Sequence, residues 1–147
     1  MTSSYLLADL RRDEGCRLEA YPDPLSGGAP WTIGYGHAGP DVHPGLTWTQ
    51  AQADDALAAD VRATAIGLDA AIPWWRALDD VRQDCLCEMA FQLGVHGLAE
   101  FRTFLGFMRE GKWAHAALDL SGTQWARQTR ERAERIIAMI RTGERRP

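Results

Sequence analysis

Glu14-Gly15-Cys16-Arg17-Leu18-Glu19-Ala20-Tyr21-Pro22-Asp23 and, shortly after it, Trp31-Thr32-Ile33-Gly34-Tyr35-Gly36-His37 are the stretches on which the fold turns. Upstream, Leu6, Leu7 and Leu10 follow Ser3 and Ser4, which are good N-cap types, and Gly15 stands where a glycine closes a helix. A short amphipathic helix over residues 3–14 is predicted. Leu18 to Tyr21, the turn-rich segment 22–30 and the alternating run Trp31 to His37 then predict a β-hairpin with a long loop. A glycine- and proline-rich loop continues to Gly45.

From Thr49 onward the pattern is helical. Thr49 with Gln52 fits a capping box and opens a helix to about Gly67, with Leu57, Val61 and Leu68 at turn spacing. After Pro73, the run Cys85-Leu86-Cys87-Glu88-Met89-Ala90-Phe91-Gln92-Leu93 is apolar on nearly every side, as in a central helix surrounded by others. Three stripes follow, each with a glycine just past it: Phe101, Phe104, Leu105, Met108; Trp113, Ala116, Ala117, Leu120; Ala133, Ile136, Ile137, Ile140. The expected architecture is α+β, mainly α, in one domain over 1–147. A small lobe of about 13–48 joins a helical lobe of about 49–147 that also takes the N-terminal helix 3–14, with a cleft between the lobes.

Length and composition agree with one folded domain: 147 residues, 46% hydrophobic and 24% charged. They exclude a disordered chain, a collagen-like repeat and a disulfide scaffold. Cys16, Cys85 and Cys87 are odd in number and show no Cys-x-x-Cys spacing, so reduced thiols and no metal site are expected. There is no run long enough to span a membrane and no signal-peptide core at the N-terminus, which predicts a soluble protein made in the cytoplasm. The net charge of −4 conceals a basic C-terminal third, where residues 101–147 carry ten Lys and Arg against five acids. That bias suits an anionic polymer or membrane surface, but it lacks the dense cationic stripe of a nucleic-acid binder.

On a helical wheel, Glu14 falls inside the sector of Leu6, Leu7 and Leu10. A carboxyl group on an apolar face, at the negative end of the helix dipole, is favoured in its protonated form, which a general acid requires. The alternative is a frayed helix end or a structural ion pair. Asp23 stands between two prolines that stiffen its backbone, and a short carboxylate on such a turn stays ionised. An acid and a base facing one gap suit hydrolysis of a glycosidic bond, although an aspartate is also common in turns for local reasons. Alternation puts Trp31, Ile33 and Tyr35 on one face of the strand and Thr32, Gly34 and Gly36 on the other, nearly bare, face. Thr32 is placed to hold a water for Asp23. In the last helix Arg130 and Arg132 flank the apolar stripe, and Arg135 points away from it.

Glu14 to Asp23 and Trp31 to His37 together resemble the phage-type lysozymes, the endolysins of tailed phages. The likeness continues through Phe91-Gln92-Leu93-Gly94, Trp113, Trp125, Gln128-Thr129, Arg132-Ala133, Arg135 and Arg141-Thr142-Gly143, essentially the whole chain. The resemblance implies a lysozyme-like fold and a muramidase that cuts the β-1,4 bond between N-acetylmuramic acid and N-acetylglucosamine, with inversion and without a cofactor. It puts the general acid at Glu14, the second carboxylate at Asp23 and the hydroxyl at Thr32, with Arg132 beside the acid. Sugar contacts fall on Phe91, Phe104 and Asp119. Its implied partner is the peptidoglycan glycan strand, met by a monomer in the host cytoplasm that reaches the periplasm through a holin-type lesion. Competing expectations are a lytic transglycosylase and a catalytically inactive peptidoglycan-binding module.

The chain departs from the best-known members by a longer segment between Asp23 and Thr32, around Gly27-Gly28-Ala29, and by a short loop after His37. His37 is expected to make a supporting structural pair, with Asp60 as its candidate. Cys16, Cys85 and Cys87 are expected to be buried and inert, and Trp113 and Trp125 to be core residues. Arg130, Arg132, Arg135, Arg141, Arg145 and Arg146 make a terminal basic helix that could touch an anionic outer membrane.

Overall fold

A computed structural model describes residues 3–146. In chain order it contains α1 (Ser4–Glu14), β1 (Arg17–Tyr21), β2 (Thr32–Gly34), β3 (His37–Ala38), α2 (Gln50–Ala71), a 3-10 turn (Pro73–Ala77), α3 (Asp80–Ala99), α4 (Arg102–Arg109), α5 (Trp113–Ser121), α6 (Gln124–Gln128) and α7 (Arg130–Thr142). The protein is thus mainly helical, with one small antiparallel sheet in the order β1-β2-β3, the class the sequence predicts. By contact the chain divides into two compact units, one ending at Ala63 and the other starting at Thr64. The first takes in α1 and most of α2 along with the sheet. None of the helices described is long and apolar enough to cross a membrane.

In the first unit, Ser3 Oγ accepts the Leu6 N–H at 3.3 Å and starts α1, which buries Leu6 and Leu10. Gly15, with φ of 66°, ends it and donates its N–H to the Arg11 carbonyl at 3.3 Å. Only a residue without Cβ adopts that φ cheaply, so the glycine fixes where the helix stops. β1 then pairs with β2, Arg17 opposite Gly34 and Tyr21 opposite Thr32. Four steps along β1 face two along β2, so β1 bulges outward between its ends.

The run Trp31 to His37 is not one strand, as its alternation suggested. Gly34 and Gly36, at φ of 66° and 86°, break it at Tyr35, and His37–Ala38 fold back as β3 against β2. Nor is its glycine face bare. A Cβ at Gly34 would stand 2.9 Å from the Trp48 ring, so that side of the strand is filled by an indole. Ala20, Ile33 and Val42 form the core of this sheet, with Trp31, Leu46 and Trp48 packed on it. The loop after His37 returns along the other edge of β1, where the Ala20 N–H donates to Leu46 O at 2.9 Å and the Trp48 N–H to Leu18 O at 2.8 Å.

The capping box forms as the sequence predicts: the Thr49 N–H donates to Gln52 Oε1 at 2.8 Å and the Gln52 N–H to Thr49 Oγ1 at 3.1 Å. α2 does not stop at Gly67, however, and runs on to Ala71. A Cβ at Gly67 would lie 2.9 Å from Val95 Cγ2, so this glycine serves close packing and not termination.

In the second unit, α3 buries Cys85, Leu86, Cys87, Met89 and Ala90, as a central helix should. It breaks at Gly94, whose φ of 79° and ψ of 152° are not helical. α7 packs on α3, α5 and α6, and α4 on α5. Burial pushes the Cys87 thiol up to about 12 and the Cys85 thiol further still, so both stay protonated and inert. Arg82 crosses from α3 to the end of α7, where its Nε donates to Ile140 O at 2.7 Å and its Nη2 to Arg141 O at 3.3 Å. Its guanidinium lies 3.9 Å above the Trp113 ring. A guanidinium there satisfies carbonyls that a helix end leaves without partners and meets the negative end of the dipole.

Candidate active site

Glu14 is the last residue of α1 and is half-buried. Gly15 turns the chain directly after it, and a Cβ built on Gly36 would lie 3.9 Å from Glu14 Oε2. The carboxyl group therefore rests against the turn between β2 and β3.

Asp23 follows β1 by two residues and organises the long loop. Its Oδ2 accepts the Ser26 N–H at 2.9 Å, its own N–H donates to Gly28 O at 2.9 Å, and its carbonyl accepts the Gly27 N–H at 2.8 Å. Ser26 Oγ donates to Ala29 O at 3.0 Å. The longer segment before Thr32 is thus closed on Asp23 by hydrogen bonds, which hold the carboxylate in a defined turn. Thr32 opens β2 directly opposite Tyr21, at the same end of the ladder as Asp23.

The hairpin register orders these three residues along one ladder. Glu14 belongs to the end where Arg17 faces Gly34, and Asp23 and Thr32 belong to the end where Tyr21 faces Thr32. Because of the bulge in β1, those ends are two residues apart along β2, about 7 Å at ~3.4 Å per residue.

His37, which opens β3, pairs with α2: its Nδ1 lies 2.8 Å from Asp60 Oδ2, and its Nε2 lies 3.2 Å from Asp41 Oδ2. The ring also meets Trp48 at 5.4 Å between centroids. Burial alone lowers the affinity of this imidazole for its second proton, but the carboxylates of Asp60 and Asp41 outweigh it and hold the group above its ordinary value.

The remaining candidates lie in the second unit. Phe91 on α3 and Asp119 on α5 are half-buried, with surface to offer a ligand. Phe104 is 0% exposed, so its expected contact with sugar is corrected: it is a core residue of α4. Arg132 donates through Nε to Glu88 Oε2 at 2.9 Å. Arg135, expected to point away, is only 8% exposed and grips the same carboxylate, with Nη2 at 2.7 Å from Oε2 and Nη1 at 3.2 Å from Oε1. The wheel misplaces it because α7 meets three other helices and buries most of its circumference, not one stripe. Glu88 itself was not singled out from the sequence. The available signal was a lone acid in an otherwise apolar run.

Three further expectations change or hold. Cys16 is exposed, against the prediction, since it lies in the turn after α1 and not on a packed face. Trp125 is buried and donates Nε1–H to Gln92 Oε1 at 2.9 Å, as a core residue would. Arg145 is ion-paired to Asp84, with Nη1 2.6 Å from Oδ2, so it is part of the fold and not of a free basic surface. Among the described residues no group of three or more His, Cys, Asp or Glu could hold a metal ion.

The phage lysozyme family model matches residues 11–141. The chain is 34% identical over 161 aligned positions to the pre-baseplate central spike protein Gp5 of Enterobacteria phage T4, covering 91% of this chain and 27% of that protein. It is 30% identical over 139 positions to an endolysin of Bacillus phage B103, covering 89% of this chain and 50% of the endolysin. A probable T4-type lysozyme 1 of Dictyostelium discoideum is 36% identical over 69 positions, 47% of this chain and 41% of that protein. The chain spans half or less of the length of each of these relatives. Since the family match runs from the last turns of α1 to the end of α7, taking in the hairpin and both carboxylates, this chain belongs to the phage lysozyme family.

Proposed function

We propose that the protein hydrolyses the β-1,4 bond between N-acetylmuramic acid and N-acetylglucosamine in peptidoglycan. The observation that supports this reading is the bulged hairpin, with half-buried Glu14 at the end of the helix that leads into it and Asp23 in the hydrogen-bonded turn that follows β1. Glu14 protonates the departing glycosidic oxygen. Asp23, with its backbone fixed, and the Thr32 hydroxyl hold a water against the anomeric carbon on the opposite face, and Asp23 receives the proton that this water loses. Two carboxyl groups about 6.5–9.5 Å apart leave room for that water and invert the configuration, the outcome that the family resemblance implies. Phe91 and Asp119 contact the glycan. The biological setting we infer is lysis of a phage host, with a separate membrane lesion giving access to the wall.

The experiment is digestion of purified peptidoglycan in heavy-oxygen water, with mass and anomeric analysis of the products. Hydrolysis with inversion places one heavy oxygen on a reducing end released as the α anomer. An anhydro sugar would show a lytic transglycosylase, and sacculi bound but uncut would show a binding module. The spike-protein relative favours a second setting, the same chemistry carried in a virion. Finding the chain in purified particles would decide for it.

A further inference from the structure

Behind Glu14 lies a set of polar side chains that the proposed chemistry leaves unused. Tyr35 is buried in the turn between β2 and β3, flanked by Gly34 and Gly36. Its hydroxyl donates to Asp54 Oδ1 at 3.1 Å and accepts from Gln50 Nε2 at 2.9 Å. Gln50 Nε2 also reaches Asp54 Oδ1 at 3.1 Å, and Arg11 Nε stands 3.6 Å from that same oxygen. One carboxylate oxygen therefore gathers three elements: the last turn of α1 through Arg11, the first turns of α2 through Gln50 and its own backbone, and the β2–β3 turn through Tyr35.

Glu14 depends on two of the three. It follows Arg11 by one helical turn, and its carboxyl group rests against Gly36, the residue after Tyr35. A turn with a glycine at positive φ on either side of one residue is soft, because glycine has the widest backbone freedom. A buried ring whose hydroxyl is hydrogen-bonded to side chains of the neighbouring helix α2 removes that freedom.

We propose that Tyr35, held by Asp54 and Gln50, is a positioning residue that fixes the seat of the Glu14 carboxyl group for proton donation. The inference rests on Glu14 being the general acid. Burial, and after it the hydrogen bond to Asp54, raise the Tyr35 phenol above its ordinary value, so the hydroxyl keeps its proton and remains a donor. The charged and titratable groups facing this cluster are Asp54 on α2, Arg11 on α1, and Cys16, whose Sγ lies 4.0 Å from Gln50 Nε2.

Tyr35→Phe keeps the ring and removes only the hydroxyl. On soluble glycan strands we expect kcat to fall about tenfold with KM unchanged, the size of loss that a small misplacement of a reacting group produces. The pH–rate profile should shift with it, as should the titration of a labelled Glu14 carboxyl followed by NMR. Asp54→Asn should give the same defect, and the double variant should be no worse than either single one. Wild-type kcat in Tyr35→Phe overturns the proposal. So does a loss of kcat that tracks the loss of Tm while the profile and the Glu14 titration stay put. If Tyr35→Phe does not fold, Gln50→Ala is put to the same measurements. Activity retained by Glu14→Gln sinks the acid assignment itself, whereas an inactive Glu14→Gln beside a wild-type Tyr35→Phe sinks only the positioning role.

Discussion

A methyl group at position 36 would lie 3.9 Å from Glu14 Oε2, which is ordinary contact, so space alone does not demand glycine there. The backbone does: at φ of 86° an L side chain costs about 1–2 kcal/mol. Gly36→Ala should therefore lower Tm by a few degrees and, by shifting the turn, lower kcat more than it raises KM, which steady-state kinetics would separate. Glu14→Gln preserves shape and removes the proton. Turbidity clearing of sacculi should drop by about 10²–10⁴-fold, the usual worth of a general acid, with the circular dichroism spectrum and Tm retained. Clearing at wild-type rate would remove Glu14 from its role. The backbone settings of Glu14 and Asp23 were legible in the sequence because their constraints are local: a helix that ends at Gly15 and a turn between prolines. The environment of Gly34 was not legible. The ring that fills its face comes from Trp48, and chain order says nothing of which distant side chain will close over a glycine.

At the scale of elements, α2 is the post to which the small sheet is tied, by Asp60 to His37 and by Asp54 and Gln50 to Tyr35. His37 is held above its unfolded value of about 6.5, so its charged form is preferred in the folded state. That contribution to stability is complete below the unfolded value and disappears as pH rises through the folded one. Wild-type Tm should accordingly fall on going from about pH 6 to pH 8 relative to His37→Asn, and thermal melts across that window check it. Equal slopes for the two proteins would deny the latch. The opening of α2 was readable because a capping box is local chemistry, and Thr49→Ala should cost about 1 kcal/mol in chemical denaturation. Its end was not readable, since Gly67 looks like a stop until Val95 is seen against it.

Across the molecule, the largest departure from ordinary composition rules is Glu88, 2% exposed and shared by Arg132 and Arg135. Removing one partner of a buried ion pair strands the others, so Glu88→Ala should destabilise by about 3–5 kcal/mol in urea melts. Phe104→Ala should cost a comparable ~3–5 kcal/mol through the cavity it leaves, and as a buried residue it should leave KM unchanged. A raised KM would restore its place beside the sugar. The overall plan was legible from periodicity and glycine punctuation, because α4 and α5 each bury a regular stripe. Arg135 was not, because burial on several sides at once is a property of the assembled bundle and of no single helix; Phe104 was read rightly by its stripe and misplaced by the resemblance.

Arg82 is planted beneath the end of α7, with Gly143 at φ of 72° curling over it so closely that a Cβ would stand 2.8 Å from Nη1. The last turn of α7 should therefore exchange its amide protons slowly for a helix end, among them the Gly143 N–H bonded to Met139 O. In an Arg82→Met variant that protection, read by hydrogen exchange, should vanish and fraying should run back into the helix. The end of α7 would then be a ratchet against unwinding, with an arginine some sixty residues upstream as its pawl.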